Sequence, residues 1–398
     1  MTSTRPPEYA GTVGEPVRFG FSAEHDALRT TVRRFVQSEV LPLVPEAEER
    51  HEFPPGLFKR LGEQGLLGLK YPSSEGGQGG DMLADCVFVE ELTRAAAGIS
   101  ASVFAHLHLA IAPLVYFADA GLRDRYARPA MRGELVGGFA LTEPGAGSDA
   151  RAITTRATRT DGGYVINGSK VFTTNGTIAD YLLVAAAVDS GDDRRIAVFV
   201  VDTDSPGVER RRMRKLGNWS SDTAEVFLSD VEVPAENRVG GEAGGFHQLR
   251  RTLTEGRVIV ATRPLALAER AYEIARGYAQ ARSAFGRTIG SFQAVSHPLA
   301  QMAVELDAAR LLITRAAWLT SSGSAEAPMA ASKAKYFAST LAQRVTTEAL
   351  HLLGGAGYTP EHEVERLYRD APEAVIGEGT AQIQLEIIAR AIGLGERP

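Results

Sequence analysis

The period of the hydrophobic pattern changes twice along this 398-residue chain, and that alternation limits its fold more than any single motif. From Ala23 to about Gly133 apolar residues recur at helical spacing, as in Leu28, Val32, Phe35, Val36 and Val40 and again in Leu57, Leu61 and Leu66. The Gly-rich turn Gly76-Gly77-Gln78-Gly79-Gly80 interrupts the pattern before Asp81 opens a further helix. From about Val136 to Gly241 the pattern shortens to runs rich in β-branched and aromatic residues: Tyr164 to Ile166, Val171 to Thr174, Tyr181 to Val188 and Ile196 to Val201. No helical stretch separates these runs, which argues against βαβ crossovers and for an antiparallel sheet. From about Gly245 to Gly393 helical spacing returns in long segments, Arg257 to Ala281, Phe292 to Ser321, Ala330 to Leu353 and Ala381 to Ile392, as in a bundle. The expected fold is therefore multi-domain α+β. It comprises a tail (1–20), an N-terminal helical domain (21–135), a central antiparallel β domain (136–243) and a C-terminal helical bundle (244–398).

Charge and composition remove several functional classes. A net charge of -6 supplies no basic field for nucleic acid, and no run of Lys or Arg forms an arm. The single cysteine, Cys86, lies among Leu83, Ala84, Val87 and Phe88; it cannot form an intrachain disulfide and reads as a small buried apolar residue, consistent with a reducing, cytoplasmic setting. Residues Met1 to Gly20 lack the apolar core of a secretory signal. Ala101 to Ala118 approaches the length of a membrane span, but His106, His108 and Pro113 interrupt it, so a buried helix is expected and no membrane span.

Several motifs fail on their context. Gly145, Gly147 and Ala150 satisfy a loose dinucleotide fingerprint, yet Ile153 to Thr160 reads as a strand where a helix N-terminus is needed, and no acidic residue follows at the required spacing. His362 and Glu363 begin a zinc-protease pattern that ends at Arg366 instead of a second histidine. His106 and His108 point to different helix faces. No metal site, phosphate-binding loop or nucleophile elbow is expected.

Four separated segments carry the chemistry. They are Leu141-Thr142-Glu143-Pro144-Gly145-Ala146-Gly147-Ser148-Asp149, Gly168-Ser169-Lys170-Val171-Phe172-Thr173-Thr174-Asn175-Gly176, Arg282-Ser283-Ala284-Phe285-Gly286 with Phe292-Gln293, and Glu378-Gly379-Thr380 with Gln382. In order and separation the set resembles the acyl-CoA dehydrogenases, from about residue 21 to residue 393. The resemblance implies the same α, β, α order, an FAD between the β domain and the C-terminal bundle, and removal of two hydrogens from the α and β carbons of an acyl thioester. CoA and an acyl-carrier protein both present the pantetheine arm, so the resemblance implies either as the carrier.

That reaction explains the residue types. The α-proton is acidic only if the developing enolate is stabilised, so a carboxylate base and donors at the carbonyl oxygen are needed. By resemblance Glu378 is the base, its backbone N–H a donor, and Gly379 part of the substrate site. Phe139, Leu141, Thr142, Ser148, Phe172 and Thr174 match the part of the family that holds the flavin, together with Thr380 and Gln382. Arg282, Phe285, Gln293, His351, Gly354 and Gly355 match the part that reaches the FAD of a neighbouring subunit, which implies a homo-oligomer, usually a homotetramer. Ser148 and Arg257 match positions near the thioester and its arm. An electron-transferring flavoprotein is the implied acceptor, and fatty acid metabolism the implied setting.

Two local arguments bear on the base. A helix beginning at Thr380 would favour ionised Glu378 and weaken it, so burial by Val375, Ile376 and the acyl chain must oppose the dipole. Some branches carry the base just before the position of Arg257; here that residue is Gly256, and Glu255 is turned about 100° away on a helix. His351 stands where the family commonly has Gln. Gly377 stands where it commonly has a bulky aromatic, which predicts extra room beside the base. A flavin oxidase or monooxygenase on the same fold, and a non-catalytic FAD-binding member, remain as alternatives at this point.

Overall fold

The computed structural model describes residues 19–190, 193–241 and 245–395, so the expected tail lies almost wholly outside the described residues. The first region is helical. Ser22 caps the helix Ala23–Phe35 by accepting from the His25 N–H, and Asp81 caps Met82–Ala95 through the Ala84 N–H at 2.9 Å. Ala97–Phe117 follows as a 21-residue run, long and apolar enough to cross a membrane, yet its most apolar window, of mean hydropathy 1.6, is 89% packed inside the protein. A helix apolar all round belongs in a core. Its two histidines are buried, and neutral His106 donates from Nε2 to Ala130 O and accepts at Nδ1 from Gly137 N, while burial lowers its pKa to about 4.

Among the described residues seven strands form the central sheet: β1 (Gly137–Ala140), β2 (Arg156–Thr160), β3 (Gly163–Thr174), β4 (Tyr181–Ser190), β5 (Asp193–Asp202), β6 (Val208–Arg212) and β7 (Thr223–Pro234). Their order is β1-β4-β2-β3-β7-β6, with β5 on the other edge of β4. Most pairings are antiparallel, but β4 runs parallel to β1 and meets Arg156 of β2 in parallel. The β2–β3 hairpin makes that parallel connection, so no crossover helix was needed in the sequence. The runs Tyr164 to Ile166 and Val171 to Thr174 belong to the single strand β3, whose register against β7 shifts between Ile166 and Gly168 and again between Lys170 and Thr173.

The last region contains the long helices Phe246–Ala281, Gln293–Ser321 and Ala327–Leu353, then the shorter Ala381–Ala391. The first begins eleven residues before the Arg257 suggested by spacing; Thr252, Thr254 and Gly256 lower local helix propensity there, and burial overrides it. The two helical regions, remote in sequence, share one apolar core running from Val32 through Ile99, Val258 and Val345 to Leu367. The sheet has its own, built on Ile166, Leu182, Val184, Phe199 and Val226. Asn175 joins the sheet to the first region: its Nδ2 donates to Ser102 O at 2.9 Å and to Gly137 O at 3.2 Å.

Candidate active site

Glu378 and Gly379 are successive left-handed residues, with φ of 54° and 89°. Thr380 follows as the N-cap of Ala381–Ala391, its hydroxyl accepting from Ile383 N. A non-glycine residue in this conformation costs on the order of 1 kcal/mol, so the turn must be held from outside. Two buried side chains hold it. Lys335 Nζ donates to Gly379 O at 2.7 Å, and Gln384 Nε2 donates to Glu378 O at 3.2 Å and Gly379 O at 3.0 Å.

The Glu378 residue as a whole is half-buried, but its Oε2 is shut off from solvent and has no hydrogen-bond partner. Burial is the main cause raising its pKa, with Glu373 adding to the rise and Arg257, Lys335 and Arg263 opposing it. A partnerless, desolvated carboxylate oxygen is a stronger base than an exposed one. Arg257 provides the nearby cation; its own Nε is buried without a partner.

The helix Phe246–Ala281 turns Gly256, not Glu255, to this carboxylate. A Cβ on Gly256 would lie 3.6 Å from Glu378 Oε2 and 3.7 Å from the Phe104 ring. Glu255 points into the first helical region, where it accepts from Lys70 Nζ at 2.6 Å, Tyr116 Oη at 2.8 Å and Arg251 Nε at 3.2 Å. Although burial raises its pKa, Lys70 and these donors bring Glu255 below the ordinary value. A carboxylate so fully paired is a poor base.

The expectation of extra room at Gly377 is corrected by the structure. A Cβ there would meet Glu373 Oε1 at 2.4 Å, so the Glu373 carboxylate fills the space. Glu373 is tied to buried Arg263 Nη1 at 3.3 Å, and Arg263 Nη2 donates to Ala97 O at 3.2 Å. Spacing gave no sign of this, because Glu373 reaches Gly377 through a short helical turn.

A second group of predicted residues gathers on the sheet. Phe139 lies on β1 opposite Leu183, Leu141 and Thr142 follow the strand, and Ser148 is exposed in the turn beyond. Phe172 sits in the β3 irregularity with φ 59° and is 65% exposed; half-buried Thr174 is two residues on. A bulge re-aims a side chain, and a large aromatic kept outward in a strained backbone suits the flat face of a flavin, while hydroxyls and main-chain donors suit its polar edge. The segment before it is pinned from behind. Val171 N donates to Thr142 O at 2.9 Å, and Lys170 Nζ donates to Leu141 O at 3.0 Å and Glu143 Oε1 at 2.8 Å. Glu143 also accepts from Thr154 N, Thr154 Oγ1 and Thr155 N. Burial would raise Glu143, but these donors hold it at about 2; burial lowers Lys170, which has fewer partners, to about 8.

The other predicted residues form separate exposed groups. Arg282 and Phe285 flank and occupy the hairpin 283–288, Phe285 being 94% exposed with φ 53°, and Gln293 opens the next helix. His351 is in the last turn of Ala327–Leu353, followed by exposed Gly354 and Gly355, and Gln382 is exposed in the first turn of Ala381–Ala391. Among the described residues no cluster of three or more His, Cys, Asp or Glu could hold a metal ion.

Three successive parts of the chain match known family models. Residues 22–134, 138–231 and 243–393 match the acyl-CoA dehydrogenase N-terminal, middle and C-terminal domains in turn. The short-chain specific acyl-CoA dehydrogenase of Clostridium acetobutylicum is 36% identical over 94% of this chain and 99% of its own. Butyryl-CoA dehydrogenase from Megasphaera elsdenii superposes with a TM-score of 0.90 at 35% identity, covering 94% of this chain and 98% of its own. A chain from a structure of the electron transferring flavoprotein of Acidaminococcus fermentans superposes equally, at 0.90 and 36% identity, covering 94% and 99%. The chain belongs to the acyl-CoA dehydrogenase family, FAD-dependent oxidoreductases that act on the CH–CH group of acyl-CoA thioesters.

Proposed function

We propose that Glu378 is the base of this dehydrogenation, and the observation that carries the proposal is its buried, partnerless Oε2 facing the open side of Gly256. Glu378 takes the α-proton onto its carboxylate. The electrons of that C–H bond become the Cα–Cβ double bond as the β-hydrogen leaves with its own pair. Bound FAD supplies the acceptor for that hydride. Before the transfer, Arg257 favours the ionised carboxylate, while burial keeps it basic; afterwards the protonated acid suits the same dry surroundings. The Glu378 backbone N–H, placed by the left-handed turn, is the proposed donor to the thioester oxygen, with Gly379, Ser148 and Arg257 along the substrate arm.

On the sheet, Phe139, Leu141, Thr142, Phe172 and Thr174 would hold the flavin. Arg282, Phe285, Gln293, His351, Gly354 and Gly355 are exposed in the single chain, which suits the reading that they serve a neighbouring subunit's FAD in a homotetramer. The solved relative from the flavoprotein structure supports an electron-transferring flavoprotein as the acceptor, in a cytoplasmic enzyme of fatty acid metabolism. Matches over 94% of the chain to enzymes named for acyl-CoA and butyryl-CoA favour CoA over a carrier protein.

The test is flavin bleaching by a panel of acyl-CoA and acyl-carrier thioesters, for wild type and Glu378→Gln. The variant should keep its yellow colour and lose about 10²- to 10⁴-fold in reduction rate, the usual contribution of a general base. Rapid bleaching in Glu378→Gln would sink the assignment. Rapid oxygen consumption without another acceptor would identify an oxidase, and no bleaching by any thioester would favour a binding role.

A further inference from the structure

We infer that Lys335 and Gln384 act as one clamp that positions the base, so that the rate of proton abstraction depends on two residues that do not touch the substrate. The inference rests on Glu378 being the base. Its starting point is the backbone. Glu378 and Gly379 both occupy the left-handed region, at φ 54° and 89°, and the first of them carries a full side chain there. Left alone, such a pair relaxes to conformations that rotate the Glu378 carboxylate and its N–H away together.

The two carbonyls of this turn face inward, and the only way to keep them there is to supply donors. Lys335 and Gln384 supply them from two helices. Lys335, fully buried on Ala327–Leu353, donates to Gly379 O at 2.7 Å; Gln384, fully buried on Ala381–Ala391, reaches both Glu378 O and Gly379 O. Gln384 Oε1 is itself buried without a partner, so its amide is committed to the two carbonyls at the expense of its own acceptor. The fit is tight: a Cβ on Gly379 would come within 2.8 Å of Gln384 Nε2.

Lys335 does more than donate, because it places a cation in the interior close to the base. The charged groups that act on it are Glu373 and Glu378, which favour its ammonium form, and Arg257, which opposes it; burial, the largest influence, lowers its pKa to about 8. Reciprocally, Lys335 works with Arg257 and Arg263 to hold Glu378 down against burial and Glu373. Removing the ammonium therefore has two separable effects. The turn loosens, which lowers the rate at saturating substrate, and the Glu378 pKa climbs, which moves the acid limb of the pH–rate profile to higher pH.

The experiment uses FAD-loaded Lys335→Met and Gln384→Met, with Lys335→Arg to restore the charge and donor and Glu378→Gln as control. Flavin reduction is followed by stopped flow across pH, with FAD content and KM measured alongside. Misplacement of a reacting group by about 1 Å costs about 10²-fold, so Lys335→Met should lose about that much in limiting rate, with KM and FAD content within about threefold of wild type. Its acid limb should move up, and Lys335→Arg should recover part of the rate. Gln384→Met should lose about tenfold in rate with an unmoved limb, since it carries no charge. A wild-type rate and limb in Lys335→Met overturn the inference. If Lys335→Met fails to hold FAD, Gln384→Met decides: a wild-type rate overturns the clamp, and a slow rate at full FAD content supports it. Fast reduction in Glu378→Gln would remove the base assignment instead, a result the clamp variants cannot mimic.

Discussion

Gly256→Ala tests the geometry of the base from the opposite wall. Gly256 lies inside the helix Phe246–Ala281, where glycine costs about 0.5–1 kcal/mol relative to alanine through backbone entropy. The added Cβ would meet Glu378 Oε2 at 3.6 Å and the Phe104 ring at 3.7 and 3.9 Å, which is ordinary van der Waals contact, so nothing has to move. The variant should thus be more stable by about 0.5–1 kcal/mol; at roughly 2.1 cal/mol/K of unfolding entropy per residue that is about 1 °C in Tm for a chain of this length. The methyl also sets an apolar group against the already solvent-free oxygen. Desolvation already dominates the raised Glu378 pKa, so a further increment moves it up, and the acid limb of the reduction rate should move to higher pH while the high-pH plateau persists. Gly256→Leu, which cannot fit between the carboxylate and Phe104, should lose the plateau. Thermal unfolding and stopped-flow flavin bleaching of the holoenzyme read these outcomes. A less stable Gly256→Ala, or an acid limb that stays in place, would refute the claim that this glycine faces Glu378.

Two further outcomes follow from buried charge, and a third from the base itself. Glu143→Ala leaves Lys170 buried with Leu141 O as its remaining acceptor; breaking such a pair costs about 3–5 kcal/mol, and FAD should dissociate more readily as the Leu141-Thr142 segment loosens, so wild-type urea midpoint and FAD retention would contradict the pinning role. Asp370 is raised by burial, then by Glu48, to about 7, with Oδ1 accepting from Asn218 N. Because its folded pKa is the higher one, the protonated form stabilises the fold at low pH and that contribution is lost as pH rises towards 7; Asp370→Asn, which cannot ionise, should gain on wild type between pH 4 and pH 8, and parallel stability curves would deny it. The same sign holds for Glu378, so Glu378→Gln should be more stable than wild type at pH 8 by a margin that shrinks towards pH 4, measured by urea unfolding.

The order of helical, strand and helical regions was legible because each period reports one kind of burial. Val32, Val36 and Val40 keep helical spacing since one face of that segment meets the core, and Tyr181 to Val188 reads as strand because these residues are buried on both faces. The parallel pairing of β1 with β4 was not legible: register is set by Gly137 pairing with Tyr181, on strands that the β2–β3 hairpin separates in the chain, and no residue type encodes that. Glu378 stood out as the candidate base only through the four segments that resemble the family, while Thr380 marked a helix start beside it. What makes Glu378 basic was not legible. Its pKa depends on Arg257, Arg263, Lys335 and Glu373, which come from three helices and share no spacing rule with it.

The missing side chain at Gly377 does not leave open space. A glycine removes its own side chain, but the volume it vacates belongs to whichever neighbour can reach it, and here Glu373 does so from within the adjoining helical turn while Arg263 neutralises it. The consequence is chemical as well as steric. An aromatic at that place would desolvate Glu378 without charge, whereas Glu373 raises it by repulsion and Arg263 lowers it by attraction. Both depend on ionisation, so the basicity of Glu378 in this chain is set by a balance of fixed charges around a dry oxygen, and any change that moves one partner, whether at Lys335, Arg263 or Glu373, is expected to appear first in the pH profile and only then in binding.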